Sequence, residues 1–109
     1  MTSDNVLMEF FVQEANACKD WVRKSDRAQF ETFYKKVLNS LREIGLETMN
    51  PAAFYDIPLQ ARLEELDRLE KEHRLELEAA FMAVWLSNEM KNERSTYHQK
   101  MTLKLMDNH

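Results

Sequence analysis

The chain contains 109 residues, of which 31% are charged and 44% are hydrophobic, and its formal net charge is −4. This length corresponds to one domain whose core can be stable without disulfides or metal ions. The sequence has one glycine and two prolines. Because the tight turns of sheets require residues such as glycine, the composition favours an all-α fold over a sheet-rich one.

Charge and cysteine content narrow the class of protein. The net negative charge provides no long-range field that would attract nucleic acid. The single cysteine, Cys18, cannot form an intrachain disulfide, which indicates a reducing compartment. The N-terminal sequence lacks the features of a signal peptide, and no apolar run approaches the ~20 residues that span a bilayer. We therefore expect a cytoplasmic protein without a membrane segment.

The first helix is predicted at residues 4–23. Ser3 and Asp4 are candidate N-cap residues because their side-chain oxygens can accept hydrogen bonds from the first free backbone N–H groups. Apolar residues recur at spacings of three and four, which places them on one face of a helix. That face consists of Leu7, Phe10, Phe11, Ala15, Cys18, Trp21 and Val22.

The second helix is predicted at residues 27–44 and has the most regular apolar spacing in the chain. Asp26 followed by Gln29 matches a capping box at its start. Gly45 lies where a left-handed C-cap favours glycine, and Leu46 can make the apolar contact that accompanies it. The junction with the first helix is short, so the two helices are expected to form an antiparallel hairpin.

Residues 45–57 form the predicted connector. Asn50 and Pro51 can start a short helical turn, because proline suits the first helical position. Phe54 and Tyr55 follow, and we expect them to cover one end of the core. Exposure for binding is the less favoured alternative, since both residue types bury well in either setting.

A third, long helix is predicted at residues 58–92. Pro58 lies in its first turn, and no glycine or proline interrupts the segment after it. Asp56 is its candidate N-cap. The first half carries many charges of both signs, Arg62 among them, with pairs such as Asp67 and Lys71 at i,i+4 spacing. Such pairs are typical of a solvated helix face.

The eight residues Ala79–Leu86 are all apolar. A helix that is apolar on every side must be covered on every side, and the first two helices can cover about one side of it. The second cover could come from the C-terminal segment or from another copy of the chain. Because that segment is short and only moderately apolar, we predict a homodimer with two-fold symmetry, held together through the third helix. The expected interface residues are Met82, Trp85, Leu86 and Met90. Trp85 could equally belong to the ordinary core.

The C-terminal segment can form a short fourth helix at residues 95–106, with Ser95 as its N-cap, or can continue the third helix. The predicted fold is thus an all-α antiparallel bundle of three long helices and a short C-terminal one. It forms a single domain over residues 1–109.

Few residues in the sequence suggest chemistry. Glu70 and His73 form one E-x-x-H motif, whereas a di-iron bundle requires two such motifs and further carboxylates. Cys18 lies among apolar neighbours, as a core cysteine does. The sequence contains no Ser/His/Asp set, zinc spacing or phosphate loop. We expect no enzyme, no bound metal and no cofactor.

Four basic residues give the C-terminal segment a mild positive bias that nearby acids offset. They are the weak candidates for nucleic-acid contact: Lys91, Arg94, Lys100 and Lys104.

The sequence is most consistent with a small cytoplasmic protein-interaction module that binds another protein and self-associates through the third helix. A regulator, adaptor, chaperone or inhibitor fits this interpretation, as does a phage or mobile-element protein acting on a host protein. The alternatives are a nucleic-acid-binding helical protein that uses the C-terminal basic segment and a metal-binding helical bundle.

Overall fold

The computed structural model describes residues 2–54 and 56–107, with the backbone alone for residues 2–4. This part of the chain is all helical and contains no β-strand, which confirms the predicted class. None of the described helices is long and apolar enough to cross a membrane. The helices are α1 (Thr2–Lys24), α2 (Arg27–Glu43), α3 (Leu59–Glu72), α4 (Arg74–Leu86) and α5 (Lys91–Asp107), with 3-10 turns at Pro51–Ala53 and Asn88–Met90.

The chain, predicted as one domain, packs as two compact units. The terminal unit combines residues 2–24 with residues 85–107, and the central unit consists of residues 25–84. The division falls within α4, between Val84 and Trp85. Because α1 and α2 belong to different units, their antiparallel pairing stays a prediction.

The ends of α2 are formed by the residues that the sequence indicated. The Asp26 side chain accepts a hydrogen bond from the Gln29 backbone N–H at 2.8 Å, and the Gln29 side chain accepts one from the Asp26 N–H at 3.2 Å. Gly45 has a φ of 93°, and the Leu46 N–H donates to the Leu41 carbonyl at 3.1 Å. These bonds form a capping box and a Schellman motif, which satisfy backbone groups that helix ends leave unpaired.

Other predicted N-caps are wrong. The helix α1 begins at Thr2 and already includes Ser3 and Asp4. The N-cap position of α3 is occupied by Pro58, and no side chain caps that helix. Asp56 is therefore not its N-cap. Ser95 lies inside α5. A single favourable cap contributes only about 1 kcal/mol, which packing of the neighbouring segments can outweigh.

The predicted continuous helix at residues 58–92 is also wrong, because His73 interrupts it with φ −138° and ψ 47°. Backbone hydrogen bonds continue on both sides of the break. The His73 N–H donates to the Leu69 carbonyl, and the His73 carbonyl accepts from the Leu77 N–H. Leu69 and Leu77, the hydrogen-bond partners of His73 on either side of the break, are both buried.

A second break lies at Ser87, whose φ of −68° and ψ of 158° are extended. A 3-10 turn follows, with Met90 buried, and α5 starts at Lys91 rather than at the predicted residue 95. At 17 residues α5 is as long as α2. The predicted short fourth helix is therefore a full-length one.

Aromatic rings join α2 to the rest of the central unit. The Tyr34 ring stacks on Phe54 with 6.2 Å between centroids and meets Phe81 edge-on at 5.5 Å. Phe33 lies 5.7 Å from the same Phe81 ring. Phe54 is fully buried, as predicted for a residue covering the core. Tyr55, the other residue predicted to cover the core, lies outside the described residues.

A buried ion pair connects α2 and α3. Glu31 accepts hydrogen bonds from Arg62 and, at 2.9 Å, from the exposed Arg27. Arg62 also donates to the Ile57 carbonyl at 3.1 Å, and its guanidinium lies 5.6 Å from the centre of the Phe54 ring. The hydrogen bond from Arg27, followed by Arg62, holds the pKa of Glu31 below its usual value.

This placement of Arg62 corrects the sequence prediction. The side chain is 2% exposed, although the sequence put it among the charges of a solvated helix face. The i,i+4 pair of Asp67 and Lys71 on the same helix is exposed and formed, at 3.0 Å, as expected.

Cys18 should be unreactive in the folded protein. It is buried, and desolvation raises the pKa of its thiol to about 12. Because only the thiolate attacks, a disulfide reagent such as Ellman's reagent should react on the order of 100-fold more slowly with native than with urea-unfolded protein. Equal rates before and after unfolding would contradict the burial of Cys18.

Candidate interaction surface

Trp85 is the centre of the terminal unit. Its side chain is fully buried, and its ring lies 5.5 Å from that of Trp21 on α1. The indole Nε1–H donates a hydrogen bond of 2.8 Å to the Glu14 carboxylate, also on α1. The end of α4 is thus attached to the middle of α1 by both an aromatic contact and a polar one.

The same residues connect α1 to α5. The rings of Tyr97 and His98 meet Trp85 edge-on, at centroid distances of 6.3 and 6.1 Å. The Tyr97 hydroxyl donates to Asp20, and His98 Nε2 lies 3.8 Å from the second oxygen of Glu14. These contacts join the start of α5 to the second half of α1. The part of α1 before Glu14 and the part of α5 after His98 extend beyond them.

Both extensions carry large apolar side chains that the chain leaves uncovered. On α1, six of the seven residues 6–12 are apolar, with Glu9 as the exception. Three more follow on the last turns of α5. We call this set the apolar end; its members are between 46% and 65% exposed. They are Val6, Leu7, Met8, Phe10, Phe11 and Val12 on α1, and Leu103, Leu105 and Met106 on α5.

The apolar end continues the core of the terminal unit. Leu7, Phe11 and Cys18 are spaced by four and seven residues, which puts them on one side of α1. Cys18 is buried, whereas Leu7 and Phe11 are exposed. The same helix face is therefore core at one end and open surface at the other. Glu14 lies on the same side between Phe11 and Cys18, and its carboxylate accepts the hydrogen bond from Trp85 at the point where the exposed part of the face begins.

The residues predicted as a dimer interface lie elsewhere. Trp85 and Met90 are buried by the chain itself, as the core alternative for Trp85 expects, and the dimer interface on the third helix stays a prediction. Met82 and Leu86 are half-buried. In the run Ala79–Leu86 the exposed positions are two alanines. The run is covered mostly by intrachain contacts, which is why it presents little apolar surface.

The basic candidates do not share one face. All four are on α5, where Lys91 and Lys100 are exposed and nine positions apart. Nine residues correspond to a rotation of about 180°, so these two side chains leave opposite sides of the helix. Lys104 is exposed and Arg94 is half-buried. This separation weighs against a continuous patch for nucleic acid.

The E-x-x-H motif loses its geometry at the break between α3 and α4. Glu70 is helical, but His73 has left the helical conformation, so the spacing no longer places both side chains on one face. Among residues 2–54 and 56–107, no three His, Cys, Asp or Glu side chains lie close enough together to hold a metal ion.

Sequence reasoning missed the apolar end, although a signal was present. Residues 6–12 read VLMEFFV, a run nearly as apolar as Ala79–Leu86. Leu7, Phe10 and Phe11 in this run are predicted to face the core because their spacing is that of an amphipathic helix. The overlooked sign is that Val6, Met8 and Val12 fall outside that face.

Comparison of the chain with protein-family models, with curated proteins and with solved structures finds no match.

Proposed function

We propose that this chain is a small protein-interaction module that binds another protein chain through the apolar end. The supporting observation is the amount of open apolar surface. Nine large side chains at 46–65% exposure, six on α1 and three on α5, together leave on the order of 900 Å² accessible. A surface of that size on a folded protein is typical of a binding site.

The polar side of α1 favours a protein partner over a lipid surface. Helices that lie on membranes carry lysine and arginine along their polar face. The polar strip of α1 over the same turns consists of Asn5, Glu9, Gln13 and Asn16, with no basic residue. A neutral to acidic strip gives no attraction to anionic lipid headgroups. A cytoplasmic regulator, adaptor, chaperone or inhibitor remains the class of protein that we propose.

The apolar end replaces the run Ala79–Leu86 as the proposed docking surface. Affinity comes mainly from large side chains that become buried at the centre of an interface. The run offers the methyl groups of Ala79 and Ala83 and the partly covered Phe81, Met82 and Leu86. The apolar end offers two phenylalanines and two methionines that are at least 46% exposed.

Capture of partners by a surface variant tests this proposal. The double variant Met8→Glu/Val12→Glu places charges on the apolar end, while glutamate keeps a good helix propensity at both positions. The matched control is Leu75→Glu on α4, where the leucine is 79% exposed and lies in the central unit. Tagged wild type and both variants are incubated with lysate of the source cells, and the captured proteins are quantified by mass spectrometry.

Wild type and Leu75→Glu should retain at least one protein, whether foreign or an untagged copy of this chain, that the double variant loses by tenfold or more. A tenfold loss corresponds to about 1.4 kcal/mol of binding free energy. The same proteins in the same amounts from all three samples would refute binding through the apolar end. Circular dichroism of each variant verifies that the helical fold is kept.

A further inference from the structure

We infer that the partner bound at the apolar end is a second copy of this chain, so that α1 and α5 of two copies form a four-helix arrangement. The inference rests on the proposed function, because it identifies the occupant of the same surface. It moves the predicted self-association from the third helix to the terminal unit.

The available area fits a dimer. A stable interface buries about 800 Å² on each partner, and the apolar end exposes on the order of 900 Å². In a two-fold dimer both partners contribute the same patch. Two copies would therefore cover each other without requiring a complementary surface on a foreign protein.

The distribution of apolar residues around α1 requires more than one neighbouring helix. At 100° per residue the apolar positions occupy an arc of about 240°, from Val6 to Val12. A single packed neighbour covers a stripe of roughly 100°. The polar contacts of α1 with its own α5 lie at Glu14 and Asp20, outside this part of the helix. Helices from a second copy provide the remaining cover, as in a four-helix bundle whose core forms between two helix pairs.

Charge favours pairing α1 of one copy with α5 of the other. From residue 5 to residue 18, α1 carries no base, and its exposed acid is Glu9, because Glu14 is bonded to Trp85 within the same chain. The last turns of α5 carry the exposed Lys100 and Lys104 and one exposed acid, Asp107. Contact of α1 with the partner's α1 would bring acids together, whereas contact with the partner's α5 brings opposite charges together. Complementary charge of this kind sets orientation more than affinity.

Molar mass in solution tests the dimer. Light scattering coupled to size-exclusion chromatography should give twice the 13.0 kDa of one chain for the wild type at micromolar concentration. Met8→Glu/Val12→Glu should give a folded monomer, and Leu75→Glu should remain a dimer. A monomeric wild type would overturn the inference, and so would a double variant that stays dimeric with unchanged helicity.

Charge reversal tests the orientation. Lys100→Glu/Lys104→Glu should raise the dimer dissociation constant about tenfold by placing like charges against the partner's α1, and adding Glu9→Lys should restore part of the loss. Sedimentation velocity over a range of concentrations measures both constants. An unchanged constant in the lysine variant would overturn the pairing of α1 with α5.

Failure of this inference can be distinguished from failure of the proposed function. If the wild type is monomeric but the capture experiment still loses a foreign protein in the double variant, the second copy is the wrong occupant and the docking surface is correct. If the wild type is monomeric and co-sediments with phosphatidylcholine vesicles while the double variant does not, the occupant is a lipid surface and both proposals fail.

Discussion

Replacing Trp85 by glutamate should unfold the terminal unit. The indole is fully buried and its Nε1–H is bonded to Glu14. Removing a buried tryptophan costs about 3–5 kcal/mol, and a glutamate at the same position adds an unpaired buried charge beside an existing carboxylate. The total approaches the ~5–15 kcal/mol by which whole domains are stable.

Tryptophan fluorescence gives a direct measurement of this effect. The sequence has two tryptophans, and both Trp21 and Trp85 lie in the terminal unit. In Trp85→Glu the remaining Trp21 should emit at the wavelength of solvent-exposed indole. In the control Leu75→Glu the emission should match that of wild type. The opposite outcome is a Trp85→Glu protein that keeps native Trp21 emission and changes from dimer to monomer. That result would show that Trp85 belongs to an interface between copies.

The conservative variant Trp85→Phe separates the two contributions of the side chain. It keeps an aromatic ring in contact with Trp21 but removes the donor to Glu14. Loss of a hydrogen bond to a charged group should cost about 1.5–3 kcal/mol. This variant should remain folded, with a lower urea midpoint than the wild type.

Replacing Arg62 by methionine should have the second large effect, a loss of about 3–5 kcal/mol of unfolding free energy. Removing one partner of a buried ion pair leaves an uncompensated buried charge. The charge here is Glu31, whose remaining partner, Arg27, is largely exposed to solvent. The substitution also removes the contacts of Arg62 with the Ile57 carbonyl and the Phe54 ring. Urea unfolding followed by far-UV circular dichroism measures the loss.

Arg74→Met is the matched control, since it makes the same chemical change at the surface. The Arg74 side chain is 72% exposed and pairs with Glu78 at 3.3 Å. An exposed pair of this kind contributes less than about 1 kcal/mol. Equal losses from the two substitutions would contradict the burial of Arg62.

The double variant Glu31→Leu/Arg62→Met should recover most of the stability that Arg62→Met loses. Apolar residues of similar size can replace a buried ion pair at little net cost, because desolvation of the two charges offsets much of their attraction. The difference between the double variant and the two single variants gives the coupling energy of the pair. A double variant as unstable as Arg62→Met would show that Arg62 acts mainly through Phe54 and Ile57.

Local sequence determined the helical class and the ends of α2. Asp26 and Gln29 are three residues apart and bond to each other's backbone, and Gly45 adopts the positive φ that other residues avoid. These interactions involve neighbours along the chain, so their residue types alone were enough to predict them. The short turn after Asn50 followed from the same kind of contact, since the Asn50 side chain accepts from the Ala52 N–H at 3.0 Å.

Only the tertiary structure decided the break at His73, the burial of Arg62 and the partition of the apolar residues between core and surface. Arg62 and Glu31 are 31 positions apart in the sequence. Helical periodicity and capping motifs relate residues only a few positions apart, so they could not predict this pair. Leu7 and Cys18 have the same helical spacing, yet one is exposed and the other buried. Periodicity indicates which side of a helix is apolar. Which part of that side is covered depends on where the other segments end in space, because burial is a property of the packed chain.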